Sequence, residues 1–295
     1  MASPQLVQNN TNLSDLYLSR FFKPLLDTGL KIKLIRHLDN RYDLNKVYFD
    51  GNLDEYQKRQ KNDVFNCDII VSFLGLSNRR AMYIGSYRVI EKSLNPKPLS
   101  QDLVSLYGAD LGEGANFEYK LQELDALNEY KQRLIIDWGE GALMWHQHFP
   151  KNDKEVVEIR PKGFFKQFSE FEDIMLSHSE MKYLIENRDS NLDWFHHLSS
   201  VSGVYLILDH DGKQYVGAAY GKNGIWGRWE NYARNTHGEN KLLKEALLKD
   251  PNCYKKWQWS ILKVLPKKFS EAEALEYENL YKKKLGSRVI GLNSN

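Results

Sequence analysis

The sequence predicts an α+β protein: a mostly β N-terminal part, a short helical stretch, and a C-terminal unit whose small three-stranded antiparallel sheet is flanked by helices. Three observations predict it. Strand-like runs rich in β-branched and aromatic residues recur through the first 160 residues, bounded by turn formers. From "FSEFEDIMLSHSEMKYLIENRDSNLDWFHHLSS" the pattern turns helical and polar, and beyond Ser200 short strands alternate with longer helical segments. A chain of 295 residues exceeds most single cores, so more than one domain is expected. The boundaries fall at 1–162 for a mostly β domain, 163–201 for a helical linker and 202–295 for the last domain.

Taken in order, "NLSDLYLSRFFKPLLDTG" predicts a first helix, with Ser14 or Asn12 as cap and Gly29 as stop. Strands follow at "LKIKLIRH", "CDIIVSFLGL", "RAMYIGSYRVI", "YKQRLIIDW", "ALMWHQHF" and "KEVVEIRP", in a mostly antiparallel arrangement. After one or two connecting helices come strands at 203–209 and 213–218, helices at 225–236 and 240–249, a strand at 256–264 and a helix at 271–285. Ser270 and Glu273 form an S-x-x-E capping box that starts the last helix.

Hydrophobic content of 42% and aromatic content of 13% suit a folded chain and exclude wholesale disorder. Cys67 and Cys253 stand far apart and match no metal-ligand spacing, so neither a disulfide framework nor a structural zinc site is expected. No apolar run approaches the roughly 20 residues of a membrane span, and "MASPQLVQNN" is not a signal peptide, which predicts a cytoplasmic protein. The net charge of +2 hides an asymmetry: residues 203–295 carry 16 Lys+Arg against 10 Asp+Glu, the rest 25 against 29. A basic C-terminal third fits contact with a polyanion.

The stretch "QYVGAAYGKNGIWGRWENY" first suggests a phosphate loop. It fails as a Walker A motif, because Gly217 and Gly221 enclose three residues and Asn223 follows Lys222. "YGADLGEGAN", with glycines at Gly108, Gly112 and Gly114, likewise lacks dinucleotide spacing and reads as a loop.

Read with the strand before it, the stretch becomes "SGVYLILDHDGKQYVG", a paired Gly-x-Tyr and Tyr-x-Gly. A three-residue loop of His210, Asp211 and left-handed Gly212 would pair Ile207 with Tyr215 and Tyr205 with Gly217, putting both tyrosines on one sheet face. Arg228 and Tyr232 follow at i,i+4 and share a helix face, whereas Trp229 reads as core. Glu278 lies on the apolar side of the last helix with Ala274, Tyr277, Tyr281 and Leu285, where an unpaired carboxylate would be costly. Asn293 stands fifteen residues on.

This order of residues resembles the GIY-YIG nuclease superfamily from Ser202 to Asn295, including the second helix at "GENKLLKEAL" and the third strand at "KWQWSILKVLP". Val204 and Val216 replace isoleucines, and Tyr232 stands where several members have histidine. The resemblance implies a metal-dependent endodeoxyribonuclease that binds Mg²⁺ or Mn²⁺ at Glu278. Tyr205 would be the general base, which needs nearby positive charge to lower its pKa. Arg228 would clamp the phosphate, Tyr215 and Tyr232 would orient water and phosphate, and Asn293 would fix the site. Lys222, Lys241 and Lys244 are either DNA-backbone contacts or ordinary solvated lysines. Lys282–Lys284 reads as a helix surface, and the histidine pairs His146/His148 and His196/His197 have too few neighbouring ligands for a metal site.

In the N-terminal part, "SFLGLSNRRAMYIGSYRV" and "QRLIIDWGEGALMWHQHF" faintly resemble the PUA-like β-barrel group, which includes modified-base readers. That resemblance implies a base-sized pocket lined by Tyr83, Trp138 and Trp145; the same residues also read as core aromatics. The expected function is a restriction or phage-defence endonuclease acting on double-stranded DNA, with or without modified bases, in which cutting both strands takes either a homodimer or two successive nicks. The alternatives are a repair or mobile-element nuclease and a non-catalytic nucleic-acid-binding module.

Overall fold

The computed structural model describes residues 16–107, 111–125, 127–141, 143–289 and 291–293. The chain forms two compact units, one from the residues up to Leu38, Asn62–Leu94 and Phe117–Arg160, the other from Asp39–Lys61, Asn95–Asn116 and the residues from Pro161 on. The proposed caps Asn12 and Ser14, and Gly108 of the glycine-bearing loop, lie outside the described residues.

In the first unit the strands are β1 (Ile32–His37), β2 (Ile69–Gly75), β3 (Arg80–Leu94), β4 (Phe117–Leu124), β5 (Leu134–Asp137), β6 (His146–Phe149) and β7 (Val156–Ile159). They lie in the order β4-β3-β2-β1-β6, and β5 bridges β3 and β7. Six of the seven fall on the predicted runs. β4 is the unpredicted one, because "FEYKLQEL" buries little and alternates weakly. The sheet is not purely antiparallel, since β1 runs parallel to β2. Both faces of the central strands are covered, so β1 and β2 are buried almost throughout even where they carry Lys33, Arg36, His37 and Ser72. Leu34, Val71, Phe73 and Tyr83 pack on one side with Phe22, while Ile35, Ile70, Tyr87 and Tyr119 pack on the other. The single helix expected before β1 is two short turns, Leu18–Phe21 and Lys23–Leu26, broken at Phe22 ahead of Pro24.

The second unit opens with helices α1 (Leu44–Phe49) and α2 (Gln101–Tyr107) and continues with β8 (Met175–Ser177), α3 (His178–Glu186) and α4 (Leu192–Ser199). The strands β9 (Ser202–Leu208) and β10 (Gln214–Ala219) follow, then α5 (Gly224–Asn235), α6 (Lys241–Lys249), β11 (Gln258–Leu265) and α7 (Glu271–Leu285). The expected three-stranded sheet has four strands, in the order β10-β9-β11-β8. The extra strand comes from the segment read as purely helical, where Leu176 pairs with Trp259. Among the described residues no helix is long and apolar enough to cross a membrane.

The β9–β10 hairpin has the predicted register, Ile207 opposite Tyr215 and Tyr205 opposite Gly217, with Gly212 at φ +78°. Tyr205 and Tyr215 therefore enter the core under α5, while Val204 and Val216 pack under α7. The capping box at Ser270 and Glu273 starts α7, and left-handed Gly286 ends it.

Candidate active site

Two glycines make the hairpin possible. A Cβ at Gly217 would stand 2.3 Å from the Tyr205 hydroxyl, so only glycine lets that ring pass across the neighbouring strand. A Cβ at Gly203 would stand 2.8 Å from the Lys263 carbonyl and 2.9 Å from Ile225, which sets how closely α5 approaches the sheet.

Beneath α5 the Tyr205 hydroxyl meets two side chains. It lies 2.9 Å from the Tyr232 hydroxyl, and Arg228 donates to it through Nε at 2.9 Å. The same guanidinium donates through a terminal nitrogen to Tyr232 at 3.3 Å. Tyr205 and Tyr232 are fully buried, and Trp259 packs against both rings. Burial pushes the Tyr205 hydroxyl well above the ordinary tyrosine pKa, and the nearby Tyr215 adds to the rise. Arg228 opposes it without prevailing, so the pKa lowering expected for a resting general base is absent. Burial also raises Tyr232. Burial alone would lower Arg228, but its interactions with Tyr205 and Tyr232 outweigh that and keep the guanidinium charged.

Arg228, Tyr215 and Glu278 line one cavity of about 370 Å³, together with Tyr220, Asn231 and Leu275. Glu278 reaches it from α7. Its Oε2 accepts a hydrogen bond from the Ala218 amide at 2.8 Å, and its Oε1 lies 2.5 Å from Lys282 Nζ. Asn293 sits one step along the same edge of β10, accepting from the Val216 amide at 2.9 Å and donating to the Val216 carbonyl at 2.8 Å. The Leu292 amide donates to the Gln214 carbonyl at 2.8 Å. The outer edge of strand β10 is thus satisfied by Leu292, Asn293 and Glu278 instead of by another strand, which ties the carboxylate rigidly to the strand carrying Tyr215.

The structure therefore brings Tyr205, Tyr215, Arg228, Tyr232 and Glu278 around one region, and Asn293 braces it. Lys222 and Lys241 are exposed, whereas Lys244 is half-buried and ion-paired with Glu239. Two residues escaped the sequence reading. Tyr220 lines the cavity and donates to Glu271 at 2.7 Å. Lys282, read as helix surface, is 4% exposed, and the signal for it was its i,i+4 spacing from Glu278.

The aromatic trio of the first unit does not form a pocket. Tyr83 and Trp138 are fully buried on one face of the sheet, both against Phe73, and the Tyr83 hydroxyl is held by Ser86 at 2.9 Å. Trp145 packs with the opposite cluster. Trp138 does border a cavity of about 510 Å³ with His146 and His148. The Lys154 ammonium lies 5.1 Å from the indole centroid and donates to the Trp138 carbonyl at 2.7 Å, so this chain's own cation takes the place of a stacked base. Among the described residues, the three metal-competent groups that come within reach of one another are Asp209, His210 and Asp211 in the hairpin turn, none of which lines the active-site cavity.

The Gly-x-Tyr/Tyr-x-Gly hairpin, with Arg228 on the next helix and Glu278 on the last, has the order of residues that the sequence resemblance implied. Residues 201–292 match the family model of the GIY-YIG catalytic domain, so this region is a GIY-YIG nuclease domain. Among solved structures, the catalytic domain of the homing endonuclease I-TevI is similar at 27% identity over 32% of this chain and 98% of that one, with a TM-score of 0.25. No curated protein matches the chain significantly.

Proposed function

We propose that the protein is a DNA endonuclease of restriction or phage-defence type that hydrolyses phosphodiester bonds with one divalent cation, Mg²⁺ or Mn²⁺. The observation that carries the hydrolytic part is the convergence of Arg228 and Glu278 on one cavity. A guanidinium and a carboxylate lining the same cavity provide one group for the phosphate oxygens and one for a cation. The donor set fits a hard cation: Glu278 Oε1 already holds the positive charge of Lys282, and its other oxygen is anchored by backbone. When bound there, the cation supplies Lewis-acid charge at the phosphate and the leaving oxygen.

The remaining work belongs to the chain's own side chains. Arg228, held at Nε and at a terminal nitrogen by the two buried hydroxyls, presents a fixed charge to the non-bridging oxygens. Tyr205 and Tyr232 share one hydrogen bond and both accept from Arg228, which fixes the plane of the guanidinium. Tyr215 faces the cavity and is assigned to orienting the attacking water, while Tyr205 and Tyr232 position Arg228. The separate β unit is assigned to reading the DNA, because the catalytic residues come from one end of the chain and leave that unit free for recognition.

The test is cleavage of matched unmodified, methylated and hydroxymethylated duplexes in Mg²⁺ by the wild type, Glu278→Ala and Arg228→Ala. Equal cleavage by all three proteins would refute the site. Equal cleavage of all three duplexes would remove modified-base reading alone.

A further inference from the structure

The C-terminal end of helix α5 borders a second cavity. Arg228 and Asn231 line the active-site cavity, whereas Ala233, Arg234 and Thr236 border another cavity, of about 480 Å³, within the second unit. Two residues from separate segments line it, each with a buried polar atom that lacks a hydrogen-bond partner. Asp50, at the end of α1, has a side chain 4% exposed; its Oδ2 is paired with Lys46 at 3.3 Å, but its Oδ1 has no hydrogen bond. His178, at the start of α3, is 2% exposed, and its Nδ1 is equally without a partner. Leaving buried polar groups unsatisfied is costly, so two lining one cavity point to a ligand that completes them.

The lining narrows the chemistry. Phe49 and Tyr183, with rings 5.0 Å apart, and Tyr254, edge-on to His178 at 4.8 Å, give aromatic walls suited to a flat ring. The carboxylate oxygen requires an N–H or O–H donor from that ring. Burial, with a smaller contribution from Lys182, holds the His178 pKa down to about 4, so the imidazole is neutral near pH 7 and Nδ1 can take either role. At the rim, Lys182, Arg234 and Lys255 are exposed, against one acid, Glu186, which lies 3.7 Å from Lys182. A net positive rim selects an anionic substituent.

A flat ring with an N–H edge and an anionic tail is a nucleotide. We infer that this cavity binds one, its base between the aromatic walls with its edge on Asp50 and His178, and its phosphate at Lys182, Arg234 and Lys255. The source is either a free mononucleotide or a nucleotide turned out of a DNA duplex. In the second case the cavity would hold the substrate from the far side of the helix that carries Arg228.

Calorimetry of the full-length protein without divalent metal tests this independently of cleavage. The probes are dCMP, dGMP and 2-deoxyribose 5-phosphate, then duplexes carrying one extrahelical dC or an abasic site at the same place. The mononucleotides should bind at least ten-fold more tightly than the sugar phosphate, and Asp50→Asn should remove that difference. Because Asp50 also pairs with Lys46, the exposed Lys255→Glu is the second variant; it should weaken nucleotide binding about five-fold with an unchanged melting temperature. A preference for extrahelical dC over the abasic site that Asp50→Asn abolishes assigns the source to DNA. Mononucleotide binding without that preference assigns it to free nucleotide. Equal binding of sugar phosphate and mononucleotide, wild-type affinity in both variants, or no binding of either probe class overturns the inference.

Discussion

The tripeptide Tyr-x-Gly occurs once in each unit, as "YIG" at Tyr83–Gly85 on β3 and as "YVG" at Tyr215–Gly217 on β10. In both, glycine makes room for a tyrosine ring passing over it: a Cβ at Gly85 would lie 2.8 Å from the Tyr87 hydroxyl, and one at Gly217 would lie 2.3 Å from that of Tyr205. The backbone solution is shared, and the chemistry is not. Tyr83 faces a core of Phe22 and Phe73 with Ser86 on its hydroxyl, whereas Tyr215 lines a cavity that also receives a guanidinium and a carboxylate. What separates a plain strand from the candidate site is therefore what α5 and α7 add, not the tripeptide.

The largest expected effect breaks that comparison most directly. Arg228→Ala should lower single-turnover DNA cleavage by at least about 10³-fold, the scale for removing a fixed charge from a developing anion. Tyr83→Phe should leave cleavage unchanged and cost about 1 kcal/mol of stability by losing the Ser86 hydrogen bond. Loss of cleavage in Tyr83→Phe beyond its loss of folded protein would show that the two units are not separable in function.

This asymmetry also governed what could be read from the sequence. In the second unit, spacing translated into geometry because each inference had a rigid local rule: the loop length fixed the Tyr205/Gly217 register, and the i,i+4 rule put Arg228 beside Tyr232. Three things there needed three dimensions. The fourth strand, β8, is only three residues long, so its pairing is a tertiary event. Burial of Tyr205 under Trp259 reverses the pKa direction that its charged neighbour Arg228 suggests. The cavity holding Asp50 and His178 joins residues 128 apart in sequence, which no local pattern connects. In the first unit the aromatic residues gave no such rule, since a strand tryptophan serves a core and a pocket equally well, and Trp138 and Trp145 fall on opposite faces.

His178 provides the next largest effect and belongs to the second unit alone. Its folded pKa, about 4, lies below the unfolded value of 6.5, so the unfolded chain binds more protons between these pH values. Stability is then fully present above pH 6.5 and falls as pH drops toward 4, by roughly 3 kcal/mol. Denaturant titrations at pH 7 and pH 4.5 should show this loss in the wild type and a smaller one in His178→Phe. An identical loss in both would place the acid sensitivity elsewhere.

The two glycines predict smaller and separable changes. Gly217→Ala should push the Tyr205 hydroxyl off Arg228 and cut cleavage by about ten-fold to a hundred-fold. Gly85→Ala forces a side chain at φ +154° and against Tyr87, costing about 1–3 kcal/mol of stability with cleavage per folded molecule preserved. Thermal melts beside single-turnover rates distinguish the two results; equal rate losses would mean that both tripeptides serve the site.

Each unit also buries a lysine, and the smallest effect separates these. Lys154, 8% exposed, donates a hydrogen bond to the Trp138 carbonyl, so Lys154→Met should change stability alone. Lys282, 4% exposed, neutralises Glu278 at 2.5 Å and thereby competes for the oxygen that a divalent cation would use. Removing it leaves a carboxylate that is 12% exposed without its cation, so Lys282→Met should melt lower in chelator and regain more on adding Mn²⁺ than the wild type does. The Mn²⁺ concentration for half-saturation, followed by the metal's own spin-resonance signal, should fall about five-fold, equivalent to roughly 1 kcal/mol. An unchanged midpoint would mean that Lys282 and the cation occupy different sides of the carboxylate, making the lysine a permanent brace of Glu278 and not its occupant in the metal-free state.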